Sequence, residues 1–193
     1  MTDLPLDPIA IDVGNLLQRT VASLYSHLVT RPTGRAVRMA IETQLAELGE
    51  RSLSLIDFSE VSVLDFSCAD EVVAKLLQRY GHEERRQAYF VFRGVHEPHR
   101  DQIEVALRRQ RLAAVAETAP GRFELLGERS EDEDRAWKVL EERGLVACED
   151  VPALFPDGAQ RRALDQLVER RLAFSSPITG RYHALSRLVA HLI

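Results

Sequence analysis

The sequence predicts an α/β fold, a layered sheet with covering helices, followed by a smaller helical unit that ends in a hairpin. Three observations predict it. The hydrophobic period alternates between strand-like and helix-like segments from about residue 8 to residue 117. Two short runs, Leu53 to Phe58 and Ala88 to Phe92, are apolar with few polar breaks, as strands covered on both faces are. The 193 residues also exceed the roughly 100–150 of an ordinary single domain. The acidic stretch Glu128 to Asp134 is the expected boundary, which divides the chain into 1–127 and 128–193.

The elements follow in order. Pro8 to Val13 predicts a strand, and Leu17, Val21, Leu24 and Leu28 mark a helix over Leu16 to Leu28. Arg31-Pro32-Thr33-Gly34 breaks the chain and offers Thr33 as the N-cap of a second helix, whose stripe is Val37, Ala40, Ile41, Leu45 and Leu48, with Gly49 at its end. After the strand at Leu53, Ser67 stands as an N-cap with Asp70 three residues on, a capping-box spacing. The helix stripe that follows is Ala69, Val72, Val73, Leu76 and Leu77. Ile103, Ala106, Leu107 and Gln110 then mark a helix with Arg100, Arg108, Arg109 and Arg111 outward, and Leu112 to Ala116 is a strand. A turn at Thr118-Ala119-Pro120-Gly121 leads into Arg122 to Leu126, a hairpin partner or linker strand.

Composition narrows the function classes. With 45% hydrophobic and 28% charged residues the chain is not disordered. No apolar run approaches the roughly 18 residues of a membrane span, and MTDLPLDP lacks the basic and apolar regions of a signal peptide. A cytoplasmic protein without membrane contact is expected. Cys68 and Cys148 are far apart with no CxxC pair, so neither a disulfide framework nor a zinc site is indicated. The net charge of −5 argues against coating nucleic acid, but the charge is polarised. Glu131 to Asp150 carries a net −5, whereas Asp157 to the end carries +3, so contact with a polyanion belongs at the C-terminal end.

The segment LIDFSEVSVLDFSCADEVVAKLL, ending at Leu77, resembles the STAS-like family: an apolar strand closed by an aspartate, a second short apolar step, and a helix opened by SxAD. The match spans roughly Thr33 to Ala116. STAS-like domains are related to anti-sigma-factor antagonists, which carry a phosphorylatable serine or threonine at a helix start beside an aspartate. On that resemblance Asp65 and Ser67 form a phospho-switch, and the implied partner is a protein such as a histidine-kinase-like ATPase. The antagonists usually have a small Ser-Gly pair there, whereas Phe66 precedes and Cys68 follows Ser67 in this chain. A phosphate would add about −1.5 to −2 charges between Asp65 and Asp70. A plain helix cap is the competing role for Ser67.

Beyond the boundary, Arg135 to Arg143 predicts a helix with Ala136, Val139 and Leu140 inward and Trp137 beside them. Val151 to Phe155 is short and helical, and Pro156-Asp157-Gly158 turns into a helix from Ala159 to Arg171 with Leu164, Leu167, Val168 and Leu172 on one face. Residues 172 to 184 read as two short strands around Ser-Pro-Ile-Thr-Gly. Three helices and a hairpin in this order look like a winged-helix module. That resemblance implies DNA as an alternative contact, with Gln160, Arg161 and Arg162 toward the major groove and Arg181 and His183 on the wing. Catalytic patterns are wanting: GxGxxG, the Walker phosphate loop and the GxSxG elbow are all missing. The HEPH pair His96 and His99 reads as an exposed, idle loop pair, and nothing supplies a base for Cys68. The expectation is a non-enzymatic regulatory protein without a cofactor. It either binds a protein through the first domain, with the second relaying the outcome to DNA or another protein, or is a transcription regulator whose first domain dimerises or senses a small ligand.

Overall fold

The computed structural model describes the backbone of residues 7–12 and the full residues 27–81 and 86–190. The protein is mixed α/β, with strands β1 (Asp7–Asp12) and β2 (His27–Leu28), helix α1 (Arg31–Ala46), and strands β3 (Arg51–Asp57) and β4 (Val63–Leu64). Helix α2 (residues 66–81) comes next, then β5 (Gln87–Arg93), α3 (Glu97–Arg109), β6 (Ala113–Ala119) and β7 (Arg122–Gly127). The remainder is α4 (Glu131–Arg143), β8 (Leu145–Val146), a 3-10 turn Cys148–Asp150, α5 (Val151–Leu154), α6 (Gly158–Glu169), β9 (Ala173–Ser175), β10 (Tyr182–Ala184) and α7 (Leu185–Val189).

The main sheet runs β1-β3-β5-β6-β7. The first four strands are parallel, and β7 returns antiparallel to β6 as a hairpin. Successive strand side chains point to opposite faces. Ile56, Phe90, Phe92, Ala114, Ala116 and Leu126 therefore join one core beneath α1, α2 and α3. Their neighbours Leu53, Leu55, Tyr89, Val91, Val115 and Leu125 join a second core on the opposite face. That second core is completed by Trp137, Leu140, Leu164, Leu167, Phe174, Leu185 and Val189, all from residues beyond 128. Tyr89 and Phe174 meet edge to face across it at 5.6 Å. The expected boundary at Glu128 to Asp134 thus separates stretches of sequence that share one core. Glu128 N–H bonds the Leu112 carbonyl at 2.7 Å, and Ser130 with Glu133 forms a capping box for α4.

Several local expectations change. Leu17, Val21 and Leu24 lie outside the described residues, and Leu28, expected in the same helix, pairs with Leu64 in a two-stranded parallel ladder. The N-cap of α1 is Thr30, whose hydroxyl accepts from Thr33 N–H at 3.3 Å; Pro32 sits in the first turn, where no amide is needed. Gly49 does not close α1, which ends at Ala46 with Glu47 as its C-cap. The glycine that matters here is Gly34, because a Cβ there would stand 2.9 Å from Cys68 Cα. Its bare Cα lets the starts of α1 and α2 touch.

Helix α2 widens to a single π turn at Asp70–Ala74. All seven residues from Cys68 to Ala74 are buried. An α-helix that buried seven consecutive positions would have to be covered all round. Helix α2 meets that condition, lying between α1 and α3 above the sheet. Asp70 and Glu71 are buried in the wide turn and are held by cations. Glu71, whose side chain is 2% exposed, accepts from Arg31 at 2.9 Å, from Arg38 at 3.3 Å and from Lys75. Arg31 also reaches Asp70 at 2.7 Å, and Arg38 and Arg79 converge on Glu42.

Two predictions follow from this packing. Leu76 is fully buried on the α2 stripe, so Leu76→Ala should lower the unfolding free energy by about 2–5 kcal/mol in urea titrations. Burial alone would raise the Glu71 pKa, but Lys75 and Arg31 outweigh it and hold the carboxyl below its usual value. Its contribution is present above the unfolded pKa of about 4.3 and is lost as pH falls through the depressed folded value. Urea midpoints followed into acid should fall less steeply for Glu71→Gln than for the wild type, and the two curves should converge at the acid end.

Candidate functional site

The start of α2 is built from the strand before it. Asp65 N–H donates to the Leu28 carbonyl at 2.8 Å, so the β2–β4 ladder delivers Asp65 in extended backbone at the head of the helix. One carboxylate oxygen then accepts from Cys68 N–H at 2.9 Å. Asp65, not Ser67, is the N-cap. Ser67 lies inside the first turn, and its hydroxyl donates to both Asp65 carboxylate oxygens at 2.9 and 3.1 Å. Asp70 is no capping-box partner either; it accepts from Arg31 and from Gln110. The expected cap at Ser67 is thus displaced by two positions, because β4 ends at Leu64 and leaves Asp65 extended at the head of the helix.

Cys68 is buried with its thiol donating to the Thr30 carbonyl at 3.0 Å. Burial, with Asp65 adding to it, pushes the thiol up to about 12, so at neutral pH it stays protonated and is a poor nucleophile. Ser67 is half-buried, and exposed apolar side chains stand on the segments that lead to α2. Val63 precedes the helix with 42% exposure, and Val29, next to the residue that bonds Asp65, is 47% exposed. Phe66 is half-exposed, with the Arg109 guanidinium over its ring at 5.7 Å. Val105, one turn before Arg109 on α3, is 55% exposed. These valines and the stacked Phe66–Arg109 pair carry no sequence signal of exposure, because valine in a strand or helix stripe reads as core.

The other predicted residues lie at the far end of the chain. Asp157 caps α6 by accepting from Gln160 N–H at 2.7 Å. Gln160 is half-buried, Arg161 and Arg162 are exposed, and Arg161 donates to the Pro156 carbonyl at 2.9 Å. Strands β9 and β10 form the expected hairpin, with β8 paired on the outer side of β10. Arg181 is exposed in its turn. His183 instead packs on Phe174 at 5.8 Å, and burial, helped by Arg181, lowers its pKa, so it does not offer a fixed positive charge to a phosphate. Arg170 and Arg171, counted in the cationic balance of this end, turn inward. The helix stops at Glu169; Arg170 pairs with Glu133 at 2.5 Å, and Arg171, with φ 59°, donates to the carbonyls of Tyr80 and Arg86. Asp65 and Ser67 are thus brought together, and Arg161 and Arg162 share one exposed helix start.

The HEPH pair is not an exposed loop either. His96 is the N-cap of α3 and His99 is 2% exposed in its first turn, where burial lowers its pKa. No described helix is long and apolar enough to cross a membrane. No protein family, curated protein or solved structure matches the chain. The capping geometry makes its own prediction: Asp65→Ala should cost about 1 kcal/mol in thermal or urea unfolding, whereas Ser67→Ala, which removes no backbone partner, should change stability by less than about 0.5 kcal/mol.

Proposed function

We propose that the chain is a regulatory protein whose STAS-like α/β part engages a protein partner through the start of α2, with Ser67 as a phosphorylatable switch, and whose C-terminal winged-helix-like part relays the outcome. The observation that carries this reading is the half-buried Ser67 hydroxyl, bonded to Asp65 at a helix start that follows the exposed Val63 and the half-exposed Phe66. Exposed apolar side chains on a surface mark a protein contact. A phosphate on Ser67 would stand against the Asp65 carboxylate that now accepts its hydrogen bond, so the modified first turn must rearrange. The partner implied by the resemblance is a histidine-kinase-like ATPase.

A second reading is favoured by the exposed Arg161 and Arg162 and by the order helix, strand, two helices and hairpin over residues 131–184. Under that reading α6 contacts DNA and the first part dimerises or senses a ligand. One experiment separates them. With the ATPase from the same genome immobilised, Ser67→Asp and Val63→Asp should each weaken binding about tenfold or more, and Arg161→Glu with Arg162→Glu should leave it unchanged. In gel shifts over a salt series, binding to a genomic fragment that is tighter than to random DNA and is lost in the double arginine variant would support the second reading instead.

A further inference from the structure

The main sheet has an opening in it. Strand β5 pairs with β3 along its whole length, from Gln87 to Arg93. With β6 it pairs only where Val91 meets Val115 and Phe92 meets Ala116. Tyr89 and Phe90 of β5 and Ala113 and Ala114 of β6, the two positions before that pairing, carry no ladder pair, so the strands part at this end. A cleft of about 300 Å³ lies at this fork. Its walls are apolar, with Leu77 from the end of α2, Phe90 and Ala114 from the two strands, and Leu172 from the segment after α6.

The rim is cationic. Among the described residues, Arg111, Arg170 and Arg171 line the cleft with the carboxylate of Glu169. Arg170 and Arg171 are fixed in place by their bonds to Glu133 and to the carbonyls of Tyr80 and Arg86. Arg111 is exposed at φ 56°, in the tight turn that closes α3, and makes no ion pair or side-chain hydrogen bond among the described residues. Apolar walls of this size with a few convergent polar groups are the make-up of a small-molecule site, at the lower end of the usual range.

We propose that the fork between β5 and β6 binds a small organic anion with an apolar body, such as a medium-chain carboxylate. The chain lies between the diverging strands, and the carboxylate sits at Arg111. Such a ligand touches the end of α2 and the end of α6 at once, and the site does not depend on the partner reading above.

The test is an amide-resolved NMR titration of the full chain with octanoate, octylamine and 1-octanol. Octanoate should give saturable shifts at Leu77, Phe90, Ala114 and Leu172, with 1-octanol weaker and octylamine inactive. Arg111→Asn, a residue that suits left-handed backbone, should weaken octanoate about fivefold and leave 1-octanol unchanged. Arg111→Lys should retain the wild-type affinity. The proposal is overturned by shifts that do not saturate or that map elsewhere, by octylamine or 1-octanol binding as tightly as octanoate, or by an unchanged octanoate affinity in Arg111→Asn.

Discussion

A parallel sheet built from strands that are apolar on both sides cannot leave either face in water, and this one constraint organises the whole chain. Leu53 and Leu55 point one way from β3 and Ile56 the other; β5 splits Tyr89 and Val91 from Phe90 and Phe92 in the same manner. The three helices between the strands cover one side. Among the described residues, the other side is closed by the helices and hairpin that follow residue 127. The C-terminal part is therefore hydrophobic cover for one face of the sheet, whatever else it contacts.

That arrangement decides which charges face outward. The cations after Asp157 form a local excess in sequence, but Arg170 ties the end of α6 to α4 and Arg171 fastens the second layer to the first. Of the cations after Asp157, Arg161, Arg162, the hairpin residue Arg181 and Arg187 on α7 are exposed. At the other pole, the carboxylates of Asp70 and Glu71 are buried only because Arg31, Arg38 and Lys75 come with them, since an uncompensated charge at that depth would be strongly destabilising.

Much of the architecture was legible in the sequence. Strand runs at Leu53 and Ala88, the α2 stripe from Ala69 to Leu77 and the β6–β7 and β9–β10 hairpins all follow from periodicity and turn residues, which are local properties. Caps were not resolved, because Thr30 and Thr33, or Asp65 and Ser67, are equally suitable residues whose choice depends on where the preceding strand stops. Long-range facts were out of reach. The run at Leu53 announces two covered faces but not the origin of the second cover, and Arg171 looks like solvated surface until its carbonyl partners, 91 and 85 positions earlier, are in view. At the candidate site the pairing of Asp65 with Ser67 was readable, while the exposure of Val29 and Val63 was not.

The wide turn in α2 has a mechanical consequence. With the seven residues from Cys68 to Ala74 enclosed, the first half of this helix is held on every side. It works as a keystone. An event that displaces its leading end must push on α1 through the Gly34 contact and on α3 through Phe66 and Arg109 together, so a local chemical change there would be felt as a concerted shift of the whole upper layer.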